Sequence, residues 1–229
     1  MAAHLSMKRV ALSELHLTAL PRSTQQAFLQ ASTWRFLLRT DWYLAGGTAL
    51  ALQVGHRKSV DLDFFLPKKN FQIDTLERNL FVTKRWTTSF REAGTLYGEF
   101  MNAKMSFIAY PFFQPSPQRL SYGSIRLLLP NDIAAMKIIA ISQRGRKRDF
   151  IDLYWYCQHS EKLSDVIDRS LRQYPGQEDN LNHILRSLVY FHDAEEDPMP
   201  DMYFTASWQT VKSFFKREVP TVTRKVYNI

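Results

Sequence analysis

With one cysteine in 229 residues, Cys157, the chain has no internal disulfide. His159 alone beside it makes too small a ligand set for zinc, so the thiol reads as a small core side chain. No apolar run approaches the roughly 20 residues that span a bilayer. The opening MAAHLSMKRVAL lacks the continuous apolar core of a signal peptide. Together these absences predict a cytoplasmic protein with no membrane partner. There is no internal repeat and no low-complexity tract, which argues against solenoids and disordered linkers. What remains is 45% hydrophobic, enough to bury a real core as one large domain or two small ones.

Acid is also scarce relative to base. The 30 Lys and Arg against 22 Asp and Glu give a formal charge of +8. That balance favours an anionic partner, RNA first. Basic residues cluster at Arg57-Lys58, Lys68-Lys69, Lys84-Arg85 and Arg144 through Arg148. Of these, Arg57, Lys58, Arg146, Lys147 and Arg148 are the expected RNA-contacting side chains. Trp86, Phe90 and Tyr97 are candidates for stacking on bases, while most other aromatic residues belong to the core.

The stretch from Tyr43 to Phe65, YLAGGTALALQVGHRKSVDLDFF, carries the most specific pattern. Trp42-Tyr43-Leu44-Ala45 has the character of a buried strand, and Gly46-Gly47 ends it where the chain can turn without a Cβ penalty. Thr48 then stands at the start of a helix built from Ala49, Leu50, Ala51 and Leu52, so free backbone N–H groups face the space beyond the glycines. A phosphate suits that space. After Gly55 a polar His56-Arg57-Lys58-Ser59 leads into Val60–Phe65, whose alternation predicts a strand with Asp61 and Asp63 on one face. Two carboxylates about 7 Å apart along a strand repel each other unless a cation lies between them. Magnesium or manganese, completed by substrate phosphates, fits that need.

A second constellation lies downstream. Asn131 is placed to cap a helix carrying Ile133, Met136, Lys137, Ile138, Ile141 and Arg144, ended by Gly145. Lys137, Ile141 and Arg144 share one face of it. The next segment, Arg146 to Tyr154, predicts a second helix with Asp149, Asp152 and Tyr156 at i, i+3 and i+7. Lys137 is therefore expected to meet Asp149 across a helical hairpin, the plain alternative being a basic loop with a surface ion pair.

For organisation, a helical segment after Pro21 presents Phe28, Leu29, Phe36, Leu37 and Leu38. A short helix is expected between Lys68 and Leu80, then a meander over Thr83–Glu92, Thr95–Met101 and Ala103–Tyr110, with Ile125–Leu129 as a further strand. Pro111, Pro115 and Pro117 mark an irregular loop. From Asn131 onward the pattern is helical, with later helices near Leu163–Gln173, Leu181–Tyr190 and Ser207–Val219. The expected architecture is an α/β (α+β) mixed sheet with helices over residues 1–130, followed by a helical region over 131–229 that contributes the lysine and acidic residues to a cleft.

The segments GGTALAL, HRKSVDLDFF and MKIIAISQRGRKRDFIDLY resemble the motifs of the AbiEii/AbiGii toxin family of the nucleotidyltransferase superfamily. The resemblance covers about Asp41 to Tyr156. It implies a DNA polymerase beta-type nucleotidyltransferase fold and an NTP-dependent transferase, with a toxin role in a toxin–antitoxin or phage-defence pair. Transfer of nucleotides to transfer RNA is known in the family. Position by position, it implies that Gly46, Gly47, Thr48 and Ser59 contact the triphosphate, that Asp61 and Asp63 hold metal, and that Lys137 and Arg144 bind phosphate oxygens. By the same match, Asp149 or Asp152 orients Lys137 or acts as a base. One departure stands out. Many polymerase-beta-type enzymes carry a third carboxylate on a neighbouring strand, and here the corresponding position is closest to Ser106. Either another acid such as Asp149 or Glu99 compensates, or the acceptor chemistry differs.

The functional expectation is magnesium-dependent transfer of a nucleoside monophosphate from an NTP to RNA, tRNA-like, with release of pyrophosphate and with a cognate antitoxin encoded nearby. Two alternatives stay open: a protein hydroxyl as acceptor, or a catalytically weak nucleotide-binding module of a defence complex.

Overall fold

Burial alternates along Leu62–Leu66 (β3), with Leu62, Phe64 and Leu66 buried and Asp63 and Phe65 half-buried, as a strand with one face in a core requires. The computed structural model describes residues 6–227; residues 1–5 of the MAAHLSMKRVAL lead lie outside that range. The chain falls into two units, Met1–Leu129 and Pro130–Ile229.

The first unit holds Ser6–Arg9 (β1), Arg22–Ala31 (α1), Arg35–Leu38 (α2), Tyr43–Ala45 (β2) and Gly46–Val54 (α3), then β3. Ile73–Phe81 (α4), Trp86–Glu92 (β4), Thr95–Phe100 (β5), Ala103–Ala109 (β6), Gln118–Tyr122 (β7) and Ile125–Leu127 (β8) complete it. The strands form one 8-stranded mixed sheet in the order β1-β7-β8-β2-β3-β6-β5-β4. β3 lies near the middle, antiparallel to β2 and parallel to β6. One face of the sheet is aromatic and dry: Phe107 stacks on Phe64 at 5.1 Å and meets the edges of Trp42 and Trp86. Asp63 is on the other face.

The predicted meander is present, joined at Gly94, whose φ of +76° only glycine adopts easily. Two strands went unforeseen. β7 follows the proline loop and pairs with β8, and β1 pairs with β7 in parallel. Neither has a readable apolar alternation: SMKR is exposed throughout, and QRLSY carries an arginine that is buried on a strand, where its guanidinium lies 5.5 Å from the Tyr43 ring. The helix expected between Lys68 and Leu80 starts at Ile73.

The second unit is helical: Pro130–Arg144 (α5), Lys147–His159 (α6), Leu163–Gln173 (α7), Leu181–Ser187 (α8), His192–Glu195 (α9) and Trp208–Tyr227 (α10). α5 begins at Pro130 rather than after an Asn131 cap, and a proline at a helix start loses no hydrogen bond that the helix would have made. Phe150 anchors the core with the rings of Phe191, Trp208 and Phe215 at 5.2, 5.8 and 5.3 Å. Burial pushes the Cys157 thiol up, with help from Glu161, so it stays protonated and unreactive. Among the described residues, no helix is long and apolar enough to cross a membrane.

Candidate active site

α3 begins directly where β2 ends, and its preceding residue is Ala45, whose side chain offers no acceptor to cap the first turn. Gly46 makes the turn at φ +71°. A methyl group on Gly46 would sit 3.2 Å from Asp63 Oδ2. On Gly47 it would collide with a terminal nitrogen of Arg57 and lie 3.2 Å from Ser59 Oγ. Thus the first glycine admits a carboxylate to the helix start and the second admits a guanidinium. The Thr48 hydroxyl, buried in the next position, donates to the Asp61 carbonyl oxygen and lies 2.8 Å from Ser59 Oγ. Thr48 therefore ties the acidic segment to α3 through its side chain, and only its backbone N–H faces the first turn.

Asp63 pairs in register with Ala45 on β2 and with Ser106 on β6. Ser106 Oγ donates to Asp63 Oδ1 at 2.7 Å. Asp61 comes just before β3 and is half-buried, like Asp63. Where the resemblance expects a third carboxylate, the register delivers a hydroxyl bonded to the second one. Glu99 does not fill the gap: it stands opposite Lys104 on the β5–β6 pair, two strands from β3, about 10 Å by strand spacing.

Arg57 is 4% exposed, and its guanidinium also donates to the Lys58 carbonyl oxygen at 2.8 Å. Burying a cation beside the positive end of a helix dipole is unfavourable unless anionic groups gather there. Asp63 beside Gly46 is one, and a bound phosphate would be another.

A Gly46→Ala variant forces a side chain into the left-handed region, costing about 1–2 kcal/mol. It should also weaken nucleotide binding by pressing on the Asp63 carboxylate. Urea unfolding and nucleotide titration check both; a variant as stable and as tight as the parent would show that the turn has no such function.

In the helical unit, Lys137 on α5 reaches two carboxylates on α6, Asp149 Oδ1 at 2.6 Å and Asp152 Oδ2 at 2.7 Å. Asp149 also accepts from Arg144 at 3.1 and 3.3 Å. Lys137 is 5% exposed and both acids are 0% exposed, whereas the Arg144 side chain is half exposed. Burial alone would raise the Asp149 pKa, but Lys137 and Arg144 together outweigh it and hold the carboxyl below its ordinary value. The hairpin contact foreseen between Lys137 and Asp149 is present, and it is a buried network rather than a surface pair.

A family model described as "Nucleotidyl transferase AbiEii toxin, Type IV TA system" matches residues 27–98 and 102–227. The chain belongs to the AbiEii nucleotidyltransferase toxin family. It is 36% identical over 182 residues to an uncharacterized protein of Aquifex aeolicus (strain VF5), covering 78% of this chain and 86% of that one. In fold it is similar to MenT4, a nucleotidyltransferase toxin from Mycobacterium tuberculosis H37Rv, with a TM-score of 0.51 at 13% identity, covering 91% of this chain and 87% of that one. It is also similar to JHP933 from Helicobacter pylori, with a TM-score of 0.50 at 15% identity over 91% and 95% of the two chains. As an AbiEii nucleotidyltransferase, then, the chain is an enzyme with a mixed α/β fold.

Several expected roles change in this AbiEii chain. Arg57 is removed from the surface patch by its burial against Gly47. Lys147 is also buried: its ammonium donates to the carbonyl oxygens of Glu195 and Asp197 and lies 5.3 Å from the Trp208 ring. Arg146 pairs with Asp197 at 2.7 Å yet stays exposed, as do Lys58 and Arg148, so these three members of the expected RNA-contacting set lie at the surface. Fully buried Asp149 and Asp152, each paired to Lys137, are poorly placed to take a proton from an acceptor. The signal for Arg57 was in the sequence: Arg57, Ser59, Asp61 and Asp63 fall at alternate positions. An extended chain therefore puts all four on one side.

Proposed function

We propose that this AbiEii enzyme transfers a nucleoside monophosphate from an NTP to an RNA acceptor of tRNA type, with pyrophosphate as leaving group and magnesium or manganese as the metal. The observation that carries this reading is the convergence of Asp63, Arg57 and Ser59 on the two glycines at the start of an uncapped helix. Charge supports the acceptor class, since a chain of +8 favours a polyanion.

Asp61 and Asp63 fit a hard divalent cation, because magnesium is commonly held by one or two carboxylates together with substrate phosphates. Among the described residues no group of three or more His, Cys, Asp or Glu gathers, and the proposed metal set is Asp61 and Asp63 alone. A bound cation would neutralise charge on the phosphoryl group in transfer. The chain's own parts do the rest. The first-turn N–H groups of Gly46, Gly47 and Thr48, with Arg57 and Ser59, hold the leaving phosphates. Gly46 keeps the Asp63 carboxylate beside them, and Ser106 fixes its rotamer by donating to Oδ1. In the helical unit, Asp149 joins Lys137 to Arg144, so the buried pair holds the half-exposed arginine in place.

Incubating the protein with magnesium, each α-labelled NTP, and either total bacterial RNA or protein lysate tests the acceptor. Label in an RNA band is expected. Label in protein would favour the hydroxyl-modifying alternative, and nucleotide binding without any transfer would favour the binding module. As a toxin of a type IV system the protein should have an antitoxin, expected as a neighbouring gene.

A further inference from the structure

Four residues stand on one rung of the sheet. Asp63 is paired with Ser106, Ser106 with Tyr97, and Tyr97 with Phe90, across β3, β6, β5 and β4. Directly paired residues share a face, so the two aromatic rings project on the same side as the Asp63 carboxylate. The rings lie 5.5 Å apart, and unlike the other aromatic side chains of these strands they are exposed, 45% for Phe90 and 40% for Tyr97. By strand spacing Tyr97 is about 10 Å from Asp63 and Phe90 about 14 Å.

The register shifts between Thr88 and Phe90, so Ser89 is an extra residue in β4. Were Ser89 paired in the ladder instead of bulged, Phe90 would stand opposite Leu96 on the other face, away from Tyr97; bulges commonly re-aim a side chain in this way. The direction of the rung also matters. Ala45 and α3 lie on the β2 side of Asp63, where the phosphates are proposed to sit. Displacement at phosphorus is in line, with the attacking hydroxyl opposite the leaving group. If pyrophosphate leaves toward α3, the acceptor enters from the β6–β5–β4 side, over the rings.

We propose that Phe90 and Tyr97 form a stacking platform for the terminal bases of a single-stranded RNA acceptor, setting its register at the reacting phosphate. This rests on the RNA-acceptor reading above. Flat exposed rings beside a charged site suit single-stranded bases, which stack on aromatic side chains with little regard to sequence.

The test uses the full chain, magnesium, an NTP that it accepts, and a short single-stranded RNA oligonucleotide ending in a free 3′-hydroxyl. Phe90→Ala/Tyr97→Ala should raise the KM for RNA about tenfold or more, as loss of base stacking does elsewhere. The KM for NTP and the thermal midpoint should stay near parental values, and Phe90→Trp/Tyr97→Phe should restore RNA affinity. Parental enzyme that labels RNA while the double-alanine variant keeps its RNA KM would overturn the platform alone. An equal rise in KM for RNA and NTP would do the same. Parental enzyme that labels protein and never RNA overturns the acceptor reading and the platform with it.

Discussion

A Lys137→Met variant is expected to lose about 3–5 kcal/mol of folding stability, the usual cost of removing one partner from a buried ion pair. Methionine fills the space of the lysine stem, so packing is nearly kept. What disappears is the ammonium between Asp149 and Asp152, both fully buried. Asp149 retains Arg144, and Asp152 loses its bond to the lysine. Adding Asp152→Asn should therefore recover part of the loss, because an amide is cheaper to bury than a carboxylate. Urea unfolding of the full chain measures both; a single variant within about 0.5 kcal/mol of the parent would sink the network account. The same cluster sets an acid limit. The folded-state pKa of Asp149 is lowered, so its contribution is fully present above the ordinary carboxylate value of about 3.9 and is lost as pH falls through the lower folded value. Stability should drop below about pH 4, less steeply in Asp149→Asn. Any fall in activity in Lys137 variants thus has to be read beside their stability.

The second large effect belongs to Asp63. Asp63→Asn is nearly isosteric and can still accept from Ser106, so the β3–β6 rung and the fold should persist, at some cost in stability because the buried Arg57 loses an anionic neighbour. Its charge, however, is what would hold a divalent cation beside the phosphates. Losing it should cost about 3–4 kcal/mol of transition-state stabilisation, on the order of a thousandfold in turnover. Circular dichroism and single-turnover kinetics on the same preparation separate the two effects. A folded variant with near-parental turnover would remove Asp63 from the metal site.

Much of this was legible in the sequence because the informative segments obey short-range rules. Gly46-Gly47 must turn, Asp61 and Asp63 must share a side, and Lys137 and Asp149 flank a glycine that folds one helix back beside the next. What escaped depended on partners distant in the chain. β1 and β7 are strands because of what they pair with, not because of their own apolar pattern. Arg57 and Lys147 look like surface cations by composition, yet both are buried, one against Gly47 and the other under Trp208. Long side chains with charged ends are the residues whose burial composition reads worst. The sequence puts the expected third-carboxylate position closest to Ser106; that this serine bonds the Asp63 carboxylate follows only from the parallel register of β3 and β6.

The most direct test of the central claim follows which phosphate of the nucleotide moves. The protein is supplied with magnesium, RNA and the accepted NTP labelled either at the α- or at the γ-phosphorus, beside Asp63→Asn. The account predicts α-label in RNA, γ-label in pyrophosphate, and neither product from the variant. γ-Label attached to the acceptor, or α-transfer undiminished in Asp63→Asn, would contradict it.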